Sequence, residues 1–226
     1  MTIPALLIFD MDGVLVDVTD SYRQTVIETV KHFTGVEATN EQIQALKNRG
    51  GSNNDWNLAL EMVRERGGSA SRQDVIRVFQ QVYLGNSNDG LIARERWLPH
   101  NGLLQRLSGR WHLALFTGRE RSEVQYTLLK FAPQAVFDPI IGMEDVEREK
   151  PDPQGLLKIL EALAPQRAYY IGDTMDDCRA AQAARVPFIG IAGPQNPLRE
   201  ALRARFLEEG AWAVLSDVNG LETTLA

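Results

Sequence analysis

Apolar and polar positions follow a repeating order along this chain: a short continuous apolar run, a polar break, then apolar residues at helical spacing. The apolar runs occupy residues 5–9, 113–116, 169–171, 187–191 and 212–215. Runs of this length are typical of strands that are buried on both faces of a parallel sheet. After the second run, Val124, Leu128 and Phe131 fall on roughly one helical face. The pattern predicts an α/β fold.

Two carboxylates, Asp10 and Asp12, come directly after the first apolar run. Parallel strands place ligand sites just beyond their carboxyl ends, and alternate residues of an extended chain point the same way. Both side chains are therefore expected to face one pocket. Like charges this close are unfavourable unless a cation or a shared proton offsets them. The pair predicts a metal site, an acid/base pair or both, with a simple acidic turn as the alternative.

Groups suited to binding a phosphate follow at two later points. The hydroxyl of Thr117 and the backbone N–H of Gly118 come after the second apolar run, at the start of a predicted helix. The alternative for Thr117 is a helix cap. Lys150 lies on a loop just before the helix-start pair Asp152 and Pro153, where it is either a phosphate clamp or a solvated charge.

A third group of carboxylates follows the apolar run at 169–171. Asp173 stands at the end of that predicted strand and is the natural third carboxylate of a metal site. Asp177 lies three residues after Thr174, a spacing that is typical of a capping box. Asp177 is therefore either a metal-site residue or a structural cap, and both interpretations stay open.

The four motifs, in this order, resemble those of the haloacid dehalogenase-like (HAD) hydrolase superfamily. The resemblance covers the whole chain and implies a doubly wound parallel-sheet core that binds Mg²⁺ and transfers phosphoryl groups through an aspartyl-phosphate. It implies that Asp10 is the nucleophile and Asp12 the general acid/base. Thr117 and Lys150 would hold the phosphoryl oxygens, and Asp173 would complete the magnesium site with Asp10 and the backbone carbonyl of Asp12.

Arg119 departs from the family pattern, since many relatives carry a smaller polar residue there. Such an arginine has two interpretations, a substrate contact or an exposed charge at the start of a helix. We expect the exposed charge.

Helical patterns occupy residues 21–33, 40–47, 54–66 and 71–83, and glycine-containing breaks separate them. An insertion of this kind resembles the helical cap of the subgroup that includes phosphoglycolate phosphatases. The resemblance implies a core of residues 1–16 and 93–226 and a cap of residues 17–92. The hinges would lie near residues 17–20 and 89–94, and such caps exclude water and contribute to specificity.

Several cap residues are candidates for substrate contacts. They are Tyr22 and Arg23 on the first cap helix, and Lys47, Asn48 and Arg49 before a glycine pair. Arg49 is favoured because Gly50 and Gly51 permit close approach of a ligand. A solvated charge at a helix end is the alternative for each.

Composition narrows the classes of function. The 226 residues carry a net charge of −6, with 44% hydrophobic residues and a single cysteine, Cys178. There is no basic excess for binding nucleic acid, no apolar run of membrane-spanning length, and no room for a signal peptide before the first strand. We expect a cytoplasmic protein without an internal disulfide, whose oligomeric state the sequence does not indicate.

These features together predict a magnesium-dependent phosphatase that acts on a small phosphorylated metabolite. Dehalogenases that resemble this chain lack the second aspartate, so Asp12 and Asp173 argue against that activity. A phosphomutase of the β-phosphoglucomutase type is one alternative, although the cap histidine of such enzymes falls near Tyr22 here. A non-enzymatic module that binds a phosphorylated ligand is the other.

Overall fold

Most strands of this protein belong to one parallel sheet. The structure is a computed structural model that describes residues 5–51 and 53–226. The strands are β1 (Ala5–Phe9), β2 (Val16–Asp17), β3 (Arg96–Trp97), β4 (His112–Phe116), β5 (Ile140–Ile141), β6 (Arg167–Gly172), β7 (Phe188–Ile191) and β8 (Ala213–Leu215). Six of them form the sheet in the order β5-β4-β1-β6-β7-β8, and β2 and β3 form a separate ribbon.

Helices flank the sheet and form the segment between β2 and β3. They are α1 (Gln24–Thr34), α2 (Asn40–Arg49), α3 (Asp55–Glu65), α4 (Arg72–Leu84), α5 (Leu103–Ser108), α6 (Arg121–Phe131), α7 (Gln154–Leu163), α8 (Met175–Ala183), α9 (Arg199–Glu208) and α10 (Leu221–Thr224). No described helix is long and apolar enough to cross a membrane.

The central strand β1 explains why the apolar runs have no polar positions. Leu6 and Ile8 belong to one buried cluster, whereas Leu7 and Phe9 belong to another. Because successive side chains of a strand point to opposite faces, both faces of β1 are covered and each position must be apolar. Helices α7, α8 and α9 contribute to the first cluster, and α5, α6 and α10 to the second. The predicted doubly wound parallel sheet is confirmed.

The sheet order brings together the three strand ends that precede the candidate site residues. Strand β1 pairs in parallel with β4 on one side and with β6 on the other, so that Phe9 lies opposite Leu115 and Ile171. Strands that follow along the chain lie outward on both sides, which makes the carboxyl end of β1 a topological switch point. The residues after β1, β4 and β6 therefore meet at one edge.

The helices predicted between β2 and β3 are present, with bounds that differ by a few residues. The first starts with a π-type turn, Thr19–Arg23, before α1. Thr39 forms a capping box with Gln42 at the start of α2, and the side chain of Ser71 caps α4. Helices α1, α3 and α4 contact one another. We call residues 17–92 the helical segment, and their division from the core as a cap stays a prediction.

The two ends of the helical segment are paired with each other. Val16 and Asp17 lie antiparallel to Trp97 and Arg96, and Arg96 forms a salt bridge with Asp17 at 2.9 Å. The sequence did not predict this ribbon, because strands of two residues are too short to show an alternation of apolar and polar positions. It joins the chain that leaves the sheet to the chain that returns.

The helical segment also contacts the carboxyl edge of the sheet directly. Tyr22 donates a hydrogen bond to Glu123 on α6 at 2.5 Å, and the backbone N–H of Gly51 donates one to Asp176 on α8 at 2.6 Å. Asn54 donates to Glu149 at 2.9 Å. The segment therefore covers the strand ends in this structure.

Glu123 is a buried carboxyl group at this junction. Burial raises its pKa to about 7, and the hydrogen bond from Tyr22, the charge of Arg119 and the contact with Gln80 offset only part of that effect. The Oε1 atom of Gln80 is buried and has no hydrogen-bond partner among the described residues. With the Gln80 amide reversed, its oxygen would accept a hydrogen bond from the protonated Glu123 carboxyl group, which fits a group that stays protonated into the neutral range.

We predict that Glu123→Gln stabilises the protein above neutral pH. The unfolded chain releases the Glu123 proton near pH 4.5 and the folded chain near pH 7, so this group's contribution to stability falls between those values. Glutamine mimics the protonated carboxyl group. The free energy of unfolding at pH 8 should therefore rise by up to about 3 kcal/mol, with little change at pH 5.

Urea titrations at pH 5 and pH 8 measure this difference. Glu161→Gln is a matched control, because Glu161 is exposed on α7 and its substitution should alter stability little at either pH. An equal gain for Glu123→Gln at both pH values would assign the effect to packing and contradict the titration.

Candidate active site

Asp10 occupies the first position after β1 and is buried between neighbouring strand ends. Its backbone N–H donates a hydrogen bond to the carbonyl of Ile171 at 2.8 Å, which continues the pairing with β6. Burial raises the pKa of Asp10 to about 7, and the charges of Asp177 and Asp12 add to this effect, whereas Lys150 opposes it. The carboxylate therefore depends on nearby positive charge to stay ionised.

Lys150 supplies that charge. Its Nζ atom lies 2.9 Å from Asp10 and 2.8 Å from Asp177, and the rings of Phe116 and Tyr170 enclose it. Burial alone would lower the pKa of this ammonium, but the two carboxylates outweigh burial and raise it. The predicted alternative of a solvated loop lysine is wrong, because Lys150 is 5% exposed.

Asp177 forms the predicted capping box with Thr174 at the start of α8. One carboxylate oxygen accepts hydrogen bonds from the backbone N–H and hydroxyl of Thr174, and the other accepts from Lys150 and Tyr170. Burial favours the protonated form, but these donors outweigh it and hold the pKa of Asp177 below its ordinary value. A carboxylate has about four acceptor positions, and all are used here.

Asp173 follows β6 and brings a third carboxylate to the cluster. One oxygen each from Asp10, Asp173 and Asp177 lies within 4.8 Å of the other two. Burial, together with the charges of Asp177 and Asp10, raises the pKa of Asp173 well above its ordinary value. The charges of Lys47 and Arg23 offset only part of this effect, and no described residue donates a hydrogen bond to Asp173 or pairs with it in a salt bridge.

A divalent cation fits this arrangement. Hard cations such as Mg²⁺ take carboxylate oxygens and usually bind through one or two of them. Lys150 pairs with both Asp10 and Asp177, which leaves the half-buried Asp173 as the acid of this cluster without a hydrogen-bond or salt-bridge partner among the described residues. Gly13 permits its position, because φ is +70° there and an added Cβ would lie 1.9 Å from Oδ2 of Asp173.

Thr117 and Gly118 follow β4 at the same edge. Thr117 is buried, and its backbone N–H donates to Ile141 at 3.0 Å. It does not cap α6, as the alternative interpretation supposed, because the N-cap of that helix is Glu120. A Cβ atom at Gly118 would lie 3.0 Å from the side chain of Asn53, so this glycine accommodates the helical segment.

A cleft of about 700 Å³, partly open to solvent, separates the strand ends from the helical segment. The sheet side contributes Asp10, Asp12, Gly118 and Asp173, and the helical segment contributes Tyr22, Arg23, Lys47, Asn53, Asn54, Asp55 and Trp56. Both sides therefore line one space with mixed charge.

The predicted contacts of the helical segment are only partly brought together. Tyr22, Arg23 and Lys47 line the cleft, and Lys47 forms a salt bridge with Asp55 at 2.8 Å. Arg49 is exposed and does not line it. Two residues along a helix correspond to a rotation of about 200°, so Arg49 leaves α2 on a different side from Lys47. Its contact with a substrate stays a prediction without a place in this cleft.

Arg119 corrects our expectation of an exposed charge. It is 1% exposed and pairs with Asp12 and with Glu95. The sequence analysis missed Glu95 entirely, because it lies between two arginines and no local motif indicates that it pairs with Arg119. It also missed Glu123 and Asp55 as cleft residues, for which the sequence contains no comparable motif.

Two known proteins are similar to this chain over more than four fifths of its length. The chain is 35% identical over 205 residues to imidazoleglycerol-phosphate dehydratase of Phytophthora nicotianae, which covers 87% of this chain but 45% of that protein. It is 26% identical over 199 residues to phosphoglycolate phosphatase 1 of Pseudomonas aeruginosa, covering 81% and 68% of the two chains. It thus spans less than half of the first relative and about two thirds of the second.

Solved structures share the fold. CbbY from Rhodobacter sphaeroides, in complex with phosphate, superposes with a TM-score of 0.74 at 21% identity, covering 97% of this chain and 96% of that one. The family described as haloacid dehalogenase-like hydrolase matches residues 7–191. With most of its length matched, and with its strand ends arranged as above, the chain belongs to the haloacid dehalogenase-like hydrolase family.

Proposed function

We propose that this protein is a magnesium-dependent phosphatase that hydrolyses a small phosphorylated metabolite through an aspartyl-phosphate. The observation that carries the proposal is the meeting of Asp10, Lys150 and Asp173 at the edge of the cleft. A nucleophilic carboxylate, a cation for the phosphoryl oxygens and a carboxylate for the metal are the groups that this reaction requires.

The reaction has two halves. First, a carboxylate oxygen of Asp10 bonds to phosphorus while the bond from phosphorus to the substrate oxygen breaks, and Asp12 gives a proton to that oxygen. Second, water bonds to phosphorus as the bond to Asp10 breaks, and Asp12 takes the proton of the water. Inorganic phosphate leaves, and both aspartates return to their starting states.

The other residues hold the phosphoryl group. Lys150 contacts the Asp10 carboxylate, and we propose that it also contacts the phosphoryl oxygens. The Thr117 hydroxyl and the Gly118 N–H donate to the remaining oxygens. Positioning and neutralisation of charge account for most of the acceleration of phosphoryl transfer.

Asp10 and Asp173 would bind the metal ion through their side chains, with the backbone carbonyl of Asp12 as the third protein ligand. Bound Mg²⁺ would neutralise charge on the phosphoryl group. Asp177 is proposed as a residue that holds Lys150, because its four acceptor positions are already used. These hydrogen bonds favour the interpretation of Asp177 as a cap that also orients the lysine.

The helical segment is proposed to act as the cap over the substrate, with Tyr22, Arg23 and Lys47 toward it. A cytoplasmic location is consistent with Cys178, which is buried and unpaired.

The phosphatase is favoured over the phosphomutase because burial and the Glu123 charge raise the pKa of Tyr22 well above its ordinary value. A phenol held in its protonated form does not replace a cap histidine as a base.

Incubation with a hexose bisphosphate separates these two enzymes. Release of inorganic phosphate and a hexose monophosphate, without interconversion of the positional isomers of that monophosphate, supports the phosphatase, whereas interconversion of those isomers supports the mutase. Binding of phosphate esters without any turnover would favour the non-enzymatic module.

We predict that Asp10→Asn abolishes phosphate release from p-nitrophenyl phosphate, since the amide cannot form the covalent intermediate. The loss should be on the order of 10⁴-fold or more, as for other nucleophiles. Asp74→Asn is the matched control, because about half of the Asp74 side chain on α4 is exposed and it does not line the cleft. Steady-state phosphate release and circular dichroism measure activity and folding. Undiminished turnover by the folded Asp10→Asn protein would contradict the mechanism.

We predict that Asp173→Asn makes the metal-free protein more stable but insensitive to Mg²⁺. The substitution removes a carboxylate whose repulsion from Asp177 and Asp10 is only partly offset, yet it also removes a proposed metal ligand. A ligand that binds only the folded state raises the unfolding temperature with its concentration. Thermal unfolding with and without Mg²⁺ should therefore show a shift for the original protein and little shift for the variant. Equal shifts in both proteins would place the ion elsewhere.

A further inference from the structure

Asp12 is held by a single buried arginine. The Nε atom of Arg119 lies 2.7 Å from Oδ1 of Asp12, and Nη2 lies 2.5 Å from the same oxygen. Among the described residues, Arg119 is the only one that hydrogen-bonds the Asp12 carboxylate. The Asp12 side chain is 27% exposed and lines the cleft, whereas Arg119 is 1% exposed.

The opposite side of the guanidinium is fixed by the chain that returns from the helical segment. Nη2 of Arg119 lies 2.7 Å from Oε1 of Glu95, and Nη1 donates to Oγ1 of Thr127 at 3.0 Å. Tyr83 on α4 donates to Glu95 at 2.9 Å, and the ring of Tyr22 packs over the guanidinium at 5.1 Å. Arg119 therefore has almost no freedom to move independently of Glu95.

We propose that Arg119 is a positioning residue that anchors Oδ1 of Asp12 and leaves Oδ2 to exchange the proton with the leaving group and the attacking water. The role rests on the proposed phosphatase mechanism. Glu95 serves it indirectly, by holding the guanidinium in place.

The geometry supports this division between the two oxygens. Both arginine donors converge on Oδ1, so the contact stops rotation of the carboxylate without occupying Oδ2. Small errors in the placement of an acid or base reduce the rate of proton transfer strongly. A lysine carries its charge on a single nitrogen and cannot hold Asp12 and Glu95 together as the planar guanidinium of Arg119 does.

The anchoring also joins the proton donor to the helical segment. Glu95 lies between the turn Leu91–Arg94 and β3, in the connection that returns to the sheet, and its partner Tyr83 belongs to α4. The orientation of the Asp12 carboxylate therefore depends on the contact of Arg119 with Glu95 and, through Glu95, on the hydrogen bond from Tyr83.

The test compares phenyl phosphate with p-nitrophenyl phosphate, which have similar shapes but leaving groups of different basicity. kcat/KM reports the steps up to departure of the leaving group. Arg119→Met should lower kcat/KM for phenyl phosphate by roughly 100-fold, because phenolate needs the proton, and for p-nitrophenyl phosphate by roughly tenfold or less. The ratio of the two values should therefore fall about tenfold.

Removal of Arg119 alone leaves Glu95 buried without its cation, so Arg119→Met requires a folding control. The double variant Arg119→Met/Glu95→Gln removes both charges and should unfold at a higher temperature than Arg119→Met. It should retain the lowered ratio, since Asp12 still lacks its anchor. Arg119→Lys, a conservative change, should recover part of the ratio.

The outcomes separate the two proposals. A folded single or double variant that loses the same factor on both substrates, or on neither, overturns the positioning role. Failure of the unaltered protein to release phosphate from either ester overturns the proposed function itself.

Discussion

The balance of buried charge at the carboxyl ends of the strands dominates this molecule. Asp10, Asp173 and Asp177 bring acidic oxygens within 4.8 Å of one another, and Lys150 is the cation in contact with two of them. A buried carboxylate is tolerated only when it is paired, hydrogen-bonded or protonated. The sheet order brings Asp10 and Asp173 together, because β1 and β6 are neighbours and each is followed directly by an aspartate.

The protein meets this constraint differently for each acid. Asp177 is satisfied by hydrogen bonds from Thr174, Lys150 and Tyr170. Asp12 is paired with Arg119, away from the cluster. Asp10 shares Lys150, and Asp173 has no such partner among the described residues. Asp177, whose acceptor positions are all used, is the acid to which we assign a supporting role, whereas Asp10 and Asp173, the proposed nucleophile and metal ligand, are only partly compensated by the chain.

Sequence reasoning located this site because its signal is local. A continuous apolar run such as residues 5–9 identifies a buried strand, and Asp10 is placed by its position directly after the run. Arg119 shows where such reasoning ends. Its burial depends on Glu95, which lies 24 residues earlier and carries no local pattern that predicts a partner. Arg49 illustrates a second limit, since the sequence does not indicate which face of α2 is turned toward the cleft.

Gly13 has a consequence for how this site could change over time. Its missing side chain leaves the volume that the Asp173 carboxylate occupies, and its backbone adopts a conformation that other residues rarely adopt. A single replacement would therefore damage both the turn after β1 and the acid contributed by β6. Substitutions are easier to accommodate in the helical segment, where a side chain can be exchanged without displacing an acid that another part of the chain places beside it.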